Sequence, residues 1–325
     1  MRGIRVFGIA LSTAIATSIG MPPAIAQQAS LQSILLVVPW PPGNNIDGTG
    51  RLLASSLESQ FGQKVIVENR VGAGGYVGSA YVARSASDGR TLLMNAFGAL
   101  HANIFVKGLE VDIGRELAPI SIPAVSPQFL MGSGTMPVKN LLEFIAFAKK
   151  NPKKLNAGVM SNTGDGLRTM MLLQTVGIDV PTIPYNSPPV PGLITGEVHL
   201  FWSSASAFIT PHIATGKIVA LAVISPERSE LLPEIATVKE QGLTFDAPPL
   251  TLAVFGPLGM NPELMDQLNK RMYAAMNNPA VAKDLRNRGL FLPKRLEAPG
   301  ELAVRFSQEL KEIKDAAARF GITPQ

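Results

Sequence analysis

Cysteine is absent from the 325 residues, which excludes disulfides, cysteine-ligated zinc, iron–sulfur clusters and any thiol nucleophile. The same absence excludes a lipid anchor built on an N-terminal cysteine. Only three histidines occur, His101, His199 and His212, and they leave little room for a histidine metal site. His199 stands between the strand residues Val198 and Leu200, and His212 sits in a helical pattern, so both read as packed or surface side chains. There is no G-x-S-x-G elbow and no H-E-x-x-H pair, and no histidine stands at a spacing that matches it to a serine or aspartate. Neither a catalytic residue, a metal nor a cofactor is expected. Lysine and arginine form no cluster with interleaved aromatics, so no nucleic-acid partner is expected.

Charged residues are 16% of the chain and apolar residues 46%, a balance that argues against disorder. At roughly 100–200 residues per domain, the length suggests two domains or one large one. A chain of this size buries about three quarters of its unfolded surface and needs no staples. The net charge is +5, but part of it belongs to the N-terminus. Arg2 and Arg5 precede an apolar stretch, Val6 to Ile19, and Ala24-Ile25-Ala26 fits an A-x-A cleavage site. Residues 1–26 are therefore expected to be a signal peptide, which leaves 299 residues and a net charge of +3. The apolar stretch is shorter than the roughly 20 residues of a membrane span, and Pro22-Pro23 breaks it. No later run of 18 apolar residues exists, so the expected address is the periplasm.

Strand and helix patterns alternate. Ile34–Val38 is a continuous apolar run of the kind found in a buried parallel strand. After a loop, Leu53, Leu57 and Phe61 repeat every four residues, and Gly62 stands where a helix would stop. Strand 64–68, helix 76–86 and strand 91–95 complete a βαβαβ unit, which implies a parallel sheet with covering helices. Farther on, helix 141–149, strand 155–159, a helix through Met170, Met171 and Gln174, strands 182–185 and 198–201, helix 207–214 and strand 219–224 form a second α/β unit. Helices 262–277, 279–288 and 299–319 close the chain. The second unit reads as an insertion into the first, with the chain crossing near Ala124–Gln128 and Leu250–Phe255. Two crossings permit hinge closure around a ligand.

Three loops can carry chemistry. Pro39-Trp40-Pro41-Pro42-Gly43-Asn44-Asn45-Ile46-Asp47 leaves a strand end and enters a helix, the place where open α/β sheets bind ligands. The helix N-terminus would attract a carboxylate or phosphate, Trp40 would supply an aromatic wall, and Asp47 is expected as the helix N-cap. An ordinary proline-rich connection is the other reading. Gly72-Ala73-Gly74-Gly75-Tyr76-Val77-Gly78 has valine where a dinucleotide fingerprint needs its third glycine, so a turn is expected there instead of a cofactor site. Ser161-Asn162-Thr163-Gly164-Asp165-Gly166 is small and polar and again precedes a helix. Asp165 either caps that helix or faces a cleft, where it would repel an anion unless paired, and Arg168 is one turn away. Ser203, Ser204 and Ser206 follow a strand and can bind a ligand or serve strand-end chemistry. On a simple pleat only one of Phe201 and Trp202 faces the core, which would turn Trp202 to the cleft.

Several stretches resemble the periplasmic substrate-binding proteins of tripartite tricarboxylate transporters, the Bug family. They are Leu36–Gly43 with Asp47; Val67-Glu68-Asn69-Arg70-Val71-Gly72-Ala73-Gly74-Gly75 with Asp88-Gly89 and Thr91-Leu92-Leu93; and Pro211-His212-Ile213 with Gly216-Lys217, Leu221-Ala222-Val223 and Arg228. The resemblance runs through essentially the whole chain after residue 26. It implies an α/β, type II periplasmic binding protein-like fold, with two α/β lobes, a hinge and an interlobe ligand cleft. The lobes would be 27–126 plus 253–325, and 127–252.

It further implies that the ligand is a small organic acid, held by backbone N–H groups, hydroxyls and water. Carried onto this chain, the ligand-binding residues are Trp40, Pro41, Pro42, Gly43, Asn44, Asn45 and Asp47; Ala96, Phe97 and Gly98; Ser161, Thr163, Gly164 and Asp165; Tyr185, Trp202 and Ser203. The departures fall in the same places: Asn44 where the first loop usually has a second glycine, Asp165 in a loop that often reads Gly-Ser-Thr, Asn186 for a lysine, and Ser203 and His199 for acids. A mono- or dicarboxylate, an aromatic acid or an amino acid whose ammonium meets Asp165 all fit. The expected role is a monomeric solute receptor serving a membrane transporter or sensor. The competing role is a secreted enzyme on the same fold.

Overall fold

Five consecutive apolar residues form a strand that is buried on both faces of its sheet. The computed structural model describes residues 33–102, 108–160, 163–185, 187–204, 209–245 and 247–321, and this strand, β1, is Ile34–Val38. The expected signal peptide lies outside the described residues. Helix α1 (Asn45–Phe61) stops at Gly62, whose φ of 64° only glycine adopts without cost. β2 (Val65–Asn69), α2 (Tyr76–Ala83) and β3 (Thr91–Ala96) complete the first βαβαβ unit. Both β2 and β3 run parallel to β1, as the pattern predicts.

The chain continues through α3 (Phe97–Ala102), α4 (Ile113–Glu116), β4 (Leu117–Ser126), β5 (Gln128–Ser133), α5 (Leu141–Lys150), β6 (Ala157–Met160) and α6 (Gly164–Thr175). β7 (Thr182–Tyr185), α7 (Val190–Thr195), β8 (Leu200–Ser204), α8 (Thr210–Ala214) and β9 (Ile218–Val223) follow. β10 (Leu250–Pro257), α9 (Pro262–Met276), α10 (Pro279–Asn287) and α11 (Pro299–Arg319) end it. Each of the last three helices starts with proline at a position where the missing N–H costs nothing. Asn261 and Asn278 cap the first two of them.

Two five-stranded sheets result, ordered β2-β1-β3-β10-β4 and β7-β6-β8-β5-β9. Neither is wholly parallel. β10 returns between β3 and β4 and is antiparallel to both, with Val254 opposite Met94 and Leu250 opposite Ser126. β5 is likewise antiparallel to β8 and β9. A parallel sheet follows from βαβ units, whereas these strands arrive by passages between the sheets. The first passage is the single residue Pro127, between β4 and β5. The second is residues 224–249, so β10 is paired in the first sheet from Leu250 onward.

Helices cover both faces of each sheet. On β1, Ile34, Leu36 and Val38 pack into one cluster, while Val37, with Leu35 against it, packs into another. On β8, Leu200 and Trp202 face one cluster and Phe201 the other. Trp202 is therefore only 3% exposed, and Phe201 is buried too. The expectation that one of the two must leave the core fails because the sheet has two cores.

Helix α11 touches both halves. Leu302 and Phe306 lie under the first sheet with Phe97 and Phe255, and Ile313, Ala316 and Ala317 pack on Leu167 of α6. Met170 and Met171, both half-buried, pack against this second contact. Between the two contacts lies a buried charge cluster. Arg168 of α6 reaches Asp165 at 3.4 Å and Glu309 of α11 at 3.7 Å. His101, at the end of α3 and fully buried, stacks on Phe306 with ring centroids 4.7 Å apart.

Burial pushes the Glu309 carboxyl up to about 7, although Arg168 and Arg305 pull it down; Glu312 and Asp165 add to the rise. Burial, and then Arg168, push His101 down to about 3, against the backbone carbonyl of Phe306. The two shifts act on stability in opposite directions. From pH 4.5 to 7 the native state holds the Glu309 proton that the unfolded chain has released, so this contribution is lost as pH rises through 7. From pH 3 to 6.5 the unfolded chain protonates His101 and the native state does not, so this contribution grows as pH rises. Denaturant midpoints measured across pH 4.5–6.5 should therefore climb more steeply with pH in Glu309→Gln than in the parent. They should fall with pH relative to the parent in His101→Phe. Parallel profiles in all three proteins would show that neither group titrates as described.

Candidate functional site

The expected site residues collect at the carboxyl ends of parallel strands. In the first loop Pro41, Pro42 and Gly43 are exposed and Trp40, Asn44 and Asn45 half-buried. Asn44, not Asp47, caps α1: its Oδ1 accepts the Asp47 N–H at 2.8 Å. Asp47 stands one turn in and reaches back, its Oδ2 accepting the Gly43 N–H at 2.9 Å. The pair thus works like a capping box, with asparagine and aspartate in its two roles.

Asp47 is 2% exposed, and its oxygens are shared among three donors. Besides Gly43, Arg51 Nε donates at 3.0 Å and Asn69 Nδ2 at 2.9 Å. Burial alone would raise its carboxyl pKa, but these hydrogen bonds and the Arg51 charge outweigh burial and hold it below the usual aspartate value. Asn69, the last residue of β2, also donates to the Trp40 carbonyl at 2.9 Å and accepts from Arg51 Nη2 at 2.9 Å. The Trp40 ring is fixed by Asn95, whose Oδ1 accepts the indole N–H at 2.8 Å and the Ala96 N–H at 2.9 Å. Gly75, with φ 92°, lies beside the same ring: a Cβ there would stand 3.4 Å from it. The Gly72–Gly75 segment is the expected turn, with positive φ at all four residues.

Asn69, Asn95 and Arg51 were not singled out from sequence. The signal for Asn95 was available, because a polar residue ending an apolar buried strand must find a partner. Ala96 and Phe97 are buried and Gly98 half-buried. The Phe97 ring belongs to the core, 5.0 Å from Phe306 and 5.6 Å from Phe255 between centroids, so it is no open wall. A Cβ on Gly98 would meet nothing within 4 Å, which makes that face open space.

The second sheet brings its own strand ends together. Met160 of β6 pairs with Tyr185 of β7, and Gly158 pairs with Phe201 of β8, so Met160, Tyr185 and Ser203 share one end of three parallel strands. Tyr185 is half-buried, and Ser203 Oγ donates to the Ser204 carbonyl at 3.2 Å. Ser161, Asn186 and Ser206 lie outside the described residues. Thr163 is the N-cap of α6, accepting the Gly166 N–H at 3.1 Å, so Asp165 is not the cap. Asp165 sits in the first turn with 35% of its side chain exposed and pairs with Arg168, as its spacing suggests. Gly164 is buried, and a Cβ there would approach Ile313 to 3.3 Å. Helices α3 and α6 pack together, which places the Ala96–Gly98 and Thr163–Asp165 segments on neighbouring elements.

Trp202 is the exception among the expected residues. It lies in the core against Phe245, 6.1 Å between centroids, and its indole N–H is buried without a partner. His199 is half-buried beside Asn156, and burial holds its pKa below the usual histidine value. Among the described residues no group of three acidic or histidine side chains could hold a metal ion, and no helix is long and apolar enough to cross a membrane.

Solved structures match this arrangement. BugD, described as a periplasmic binding protein, superposes with a TM-score of 0.72 at 26% identity, covering 90% of this chain and 99% of its own. The R. palustris protein Rpa4515, solved with adipate, gives a TM-score of 0.75 at 26% identity, with coverage of 90% and 98%. In sequence, the protein BugT of Bordetella pertussis is 32% identical over 291 residues, 87% of this chain and 86% of BugT. The fold is thus the α/β architecture of periplasmic binding proteins, two mixed sheets each wrapped in helices. Residues 49–298 match the model of the tripartite tricarboxylate transporter family receptor, and the chain belongs to that family of solute receptors.

Proposed function

We propose that this chain is exported by residues 1–26 and works in the periplasm as a monomeric receptor for a small organic acid, closed between two lobes. The lobes are built on the two sheets, 27–126 with the C-terminal part and 127 to the second passage, and the hinge is Pro127 together with residues 224–249. The ligand would lie between the Trp40–Asn45 loop and Ala96–Gly98 on one side and Ser161–Asp165, Tyr185 and Ser203 on the other. Asp47 would position the first loop without touching the ligand. The loaded receptor would then meet a membrane transporter or a sensor.

One observation carries this reading. The arginines around these loops are spent on protein acceptors: Arg51 on Asp47, Arg70 on Glu68, and Arg168 on Asp165 and Glu309. What the loops offer is backbone N–H groups, hydroxyls and one aromatic wall. Such donors suit a carboxylate, and helix starts add a favourable dipole. The adipate held by Rpa4515 supports a dicarboxylate within this class. The exposed part of Asp165 favours a ligand that brings a cation, or only one charge, to that side. Mono- and dicarboxylates and amino acids are all within reach.

A thermal-shift screen over these acids tests the reading. At one hundred times Kd the true ligand should add about 2.7 kcal/mol to the apparent stability. No shift with any acid, together with turnover of one of them, would replace the receptor by a secreted enzyme. Asp165→Ser should tighten a simple dicarboxylate on the order of tenfold, about 1.4 kcal/mol, by removing a like charge. Unchanged affinity would confine Asp165 to its bond with Arg168. Trp40 should report closure: the ligand-induced change in tryptophan fluorescence should vanish in Trp40→Phe and persist in Trp202→Phe. The reverse pattern would move the aromatic wall to β8.

A further inference from the structure

A cavity of about 450 Å³ opens where the chain passes between the sheets, beside the outer strands β4 and β9. Its wall joins Val125 of β4, Pro127 of the first passage, Ser225 and Pro249 of the second, and Phe291 and Leu292 after α10. The candidate site described above lies instead at the ends of β1, β3, β6, β7 and β8. The volume is that of a small-molecule site. By area the wall is largely apolar, and it includes four prolines, Pro127, Pro226, Pro249 and Pro293.

Some of the polar atoms on this wall are donors without an acceptor. Ser225 Oγ is buried and makes no hydrogen bond. Arg305 gives one nitrogen to Glu297 at 3.1 Å, while its Nε and Nη2 are buried and unpartnered. Arg286 lies at the exposed rim, and among the described residues no ion pair or hydrogen bond engages its side chain. Of the acids on the wall, Glu297 meets one nitrogen of Arg305 and leaves the other two unanswered. Glu227 is bonded to Lys294 and Glu297 to Arg305, while Glu230 is exposed and solvated. Arg228 is taken by Glu240. Buried donors left unpaired cost free energy and are rare in native proteins, and each asks for an acceptor. An exposed carboxylate makes no such demand.

We propose that this cavity is a second ligand site, for a monocarboxylate with a compact apolar body. The hydrocarbon part would cover the proline and Phe291 wall, and the carboxylate would accept from Arg286, Arg305 and Ser225. Residues from both passages line the cavity, so an occupant spans the proposed hinge. Arg305 also lies over the Phe97 ring at 5.3 Å, next to the Ala96–Gly98 segment of the first site.

Calorimetric titration with 4-phenylbutyrate tests the site independently of the receptor reading. The parent should bind one equivalent at the cavity. Gly98→Trp, which obstructs the first site, should leave that binding within twofold. Ala282→Trp, which fills the cavity from α10, should abolish it, and Arg286→Glu should weaken it at least tenfold; the second variant alters only an exposed side chain and keeps the test valid if the first does not fold. The neutral amide of the same acid should bind at least tenfold more weakly. Absence of binding to the parent, binding indifferent to both cavity variants, loss with Gly98→Trp, or equal binding of the amide would each overturn the proposal.

Discussion

The meeting of α6 and α11 is the contact on which the arrangement of the two sheets depends. It sets Leu167 against Ile313, Ala316 and Ala317, and beside this apolar patch it buries one guanidinium between two carboxylates. Small residues let the helices approach closely, and the charges fix which turn faces which. The charges add little cohesion, because taking a guanidinium and a carboxylate out of water costs about what their attraction returns. A contact held by a small apolar patch and specified by ions can open without a large penalty, since water repays the ions when it enters. The proposed hinge motion between the sheets would draw on that balance, which a larger apolar interface would not give.

The same reasoning explains which side chains hold the loops in place. Asp47 looks like a ligand-facing acid in the linear motif, yet its oxygens are committed to Gly43, Arg51 and Asn69. It converts a proline-rich loop into a rigid edge by tying that loop to α1 and β2. Asn95 does the same for the Trp40 ring. In the proposed function, with these arginines paired to protein acids, recognition would fall to backbone groups whose positions the fold sets, and Asp165 would tune the charge.

Much of the fold was legible because it is written locally. β1 could be bounded to the residue from a run of five apolar side chains, and the three C-terminal helices from proline at their starts and a regular apolar stripe. The strands that join the sheets were not legible. β4 holds Pro119 and Pro123 and alternates apolar with small residues, so no run marks it, and β10 acquires its place only by pairing with β3 and β4 from far along the chain. The strand expected at 198–201 is shifted to Leu200–Ser204 for a related reason: pairing with β5 carries it through Ser203 and Ser204, which are poor strand formers by themselves. The loops of the candidate site were singled out because strand end, helix start and small polar residues coincide there. Facing was misjudged at Trp202, where a two-sided sheet defeats the pleat rule, and at Phe97, whose backbone lies at the loop while its ring fills the core.

Asp165 shows why a single residue type does not fix the charge of such a site. It shares Arg168 with Glu309, and Glu309 carries a carboxyl that burial raises to about 7. Burial raises the Asp165 carboxyl as well, against the pull of Arg168. The field at the mouth of α6 therefore depends on a carboxyl on α11 as much as on Asp165, and α11 reaches this point because its apolar stripe runs from the first sheet to the second. The aspartate in the linear loop is half of the matter; the other half lies about 140 residues later in the chain, where only the folded structure brings it into range.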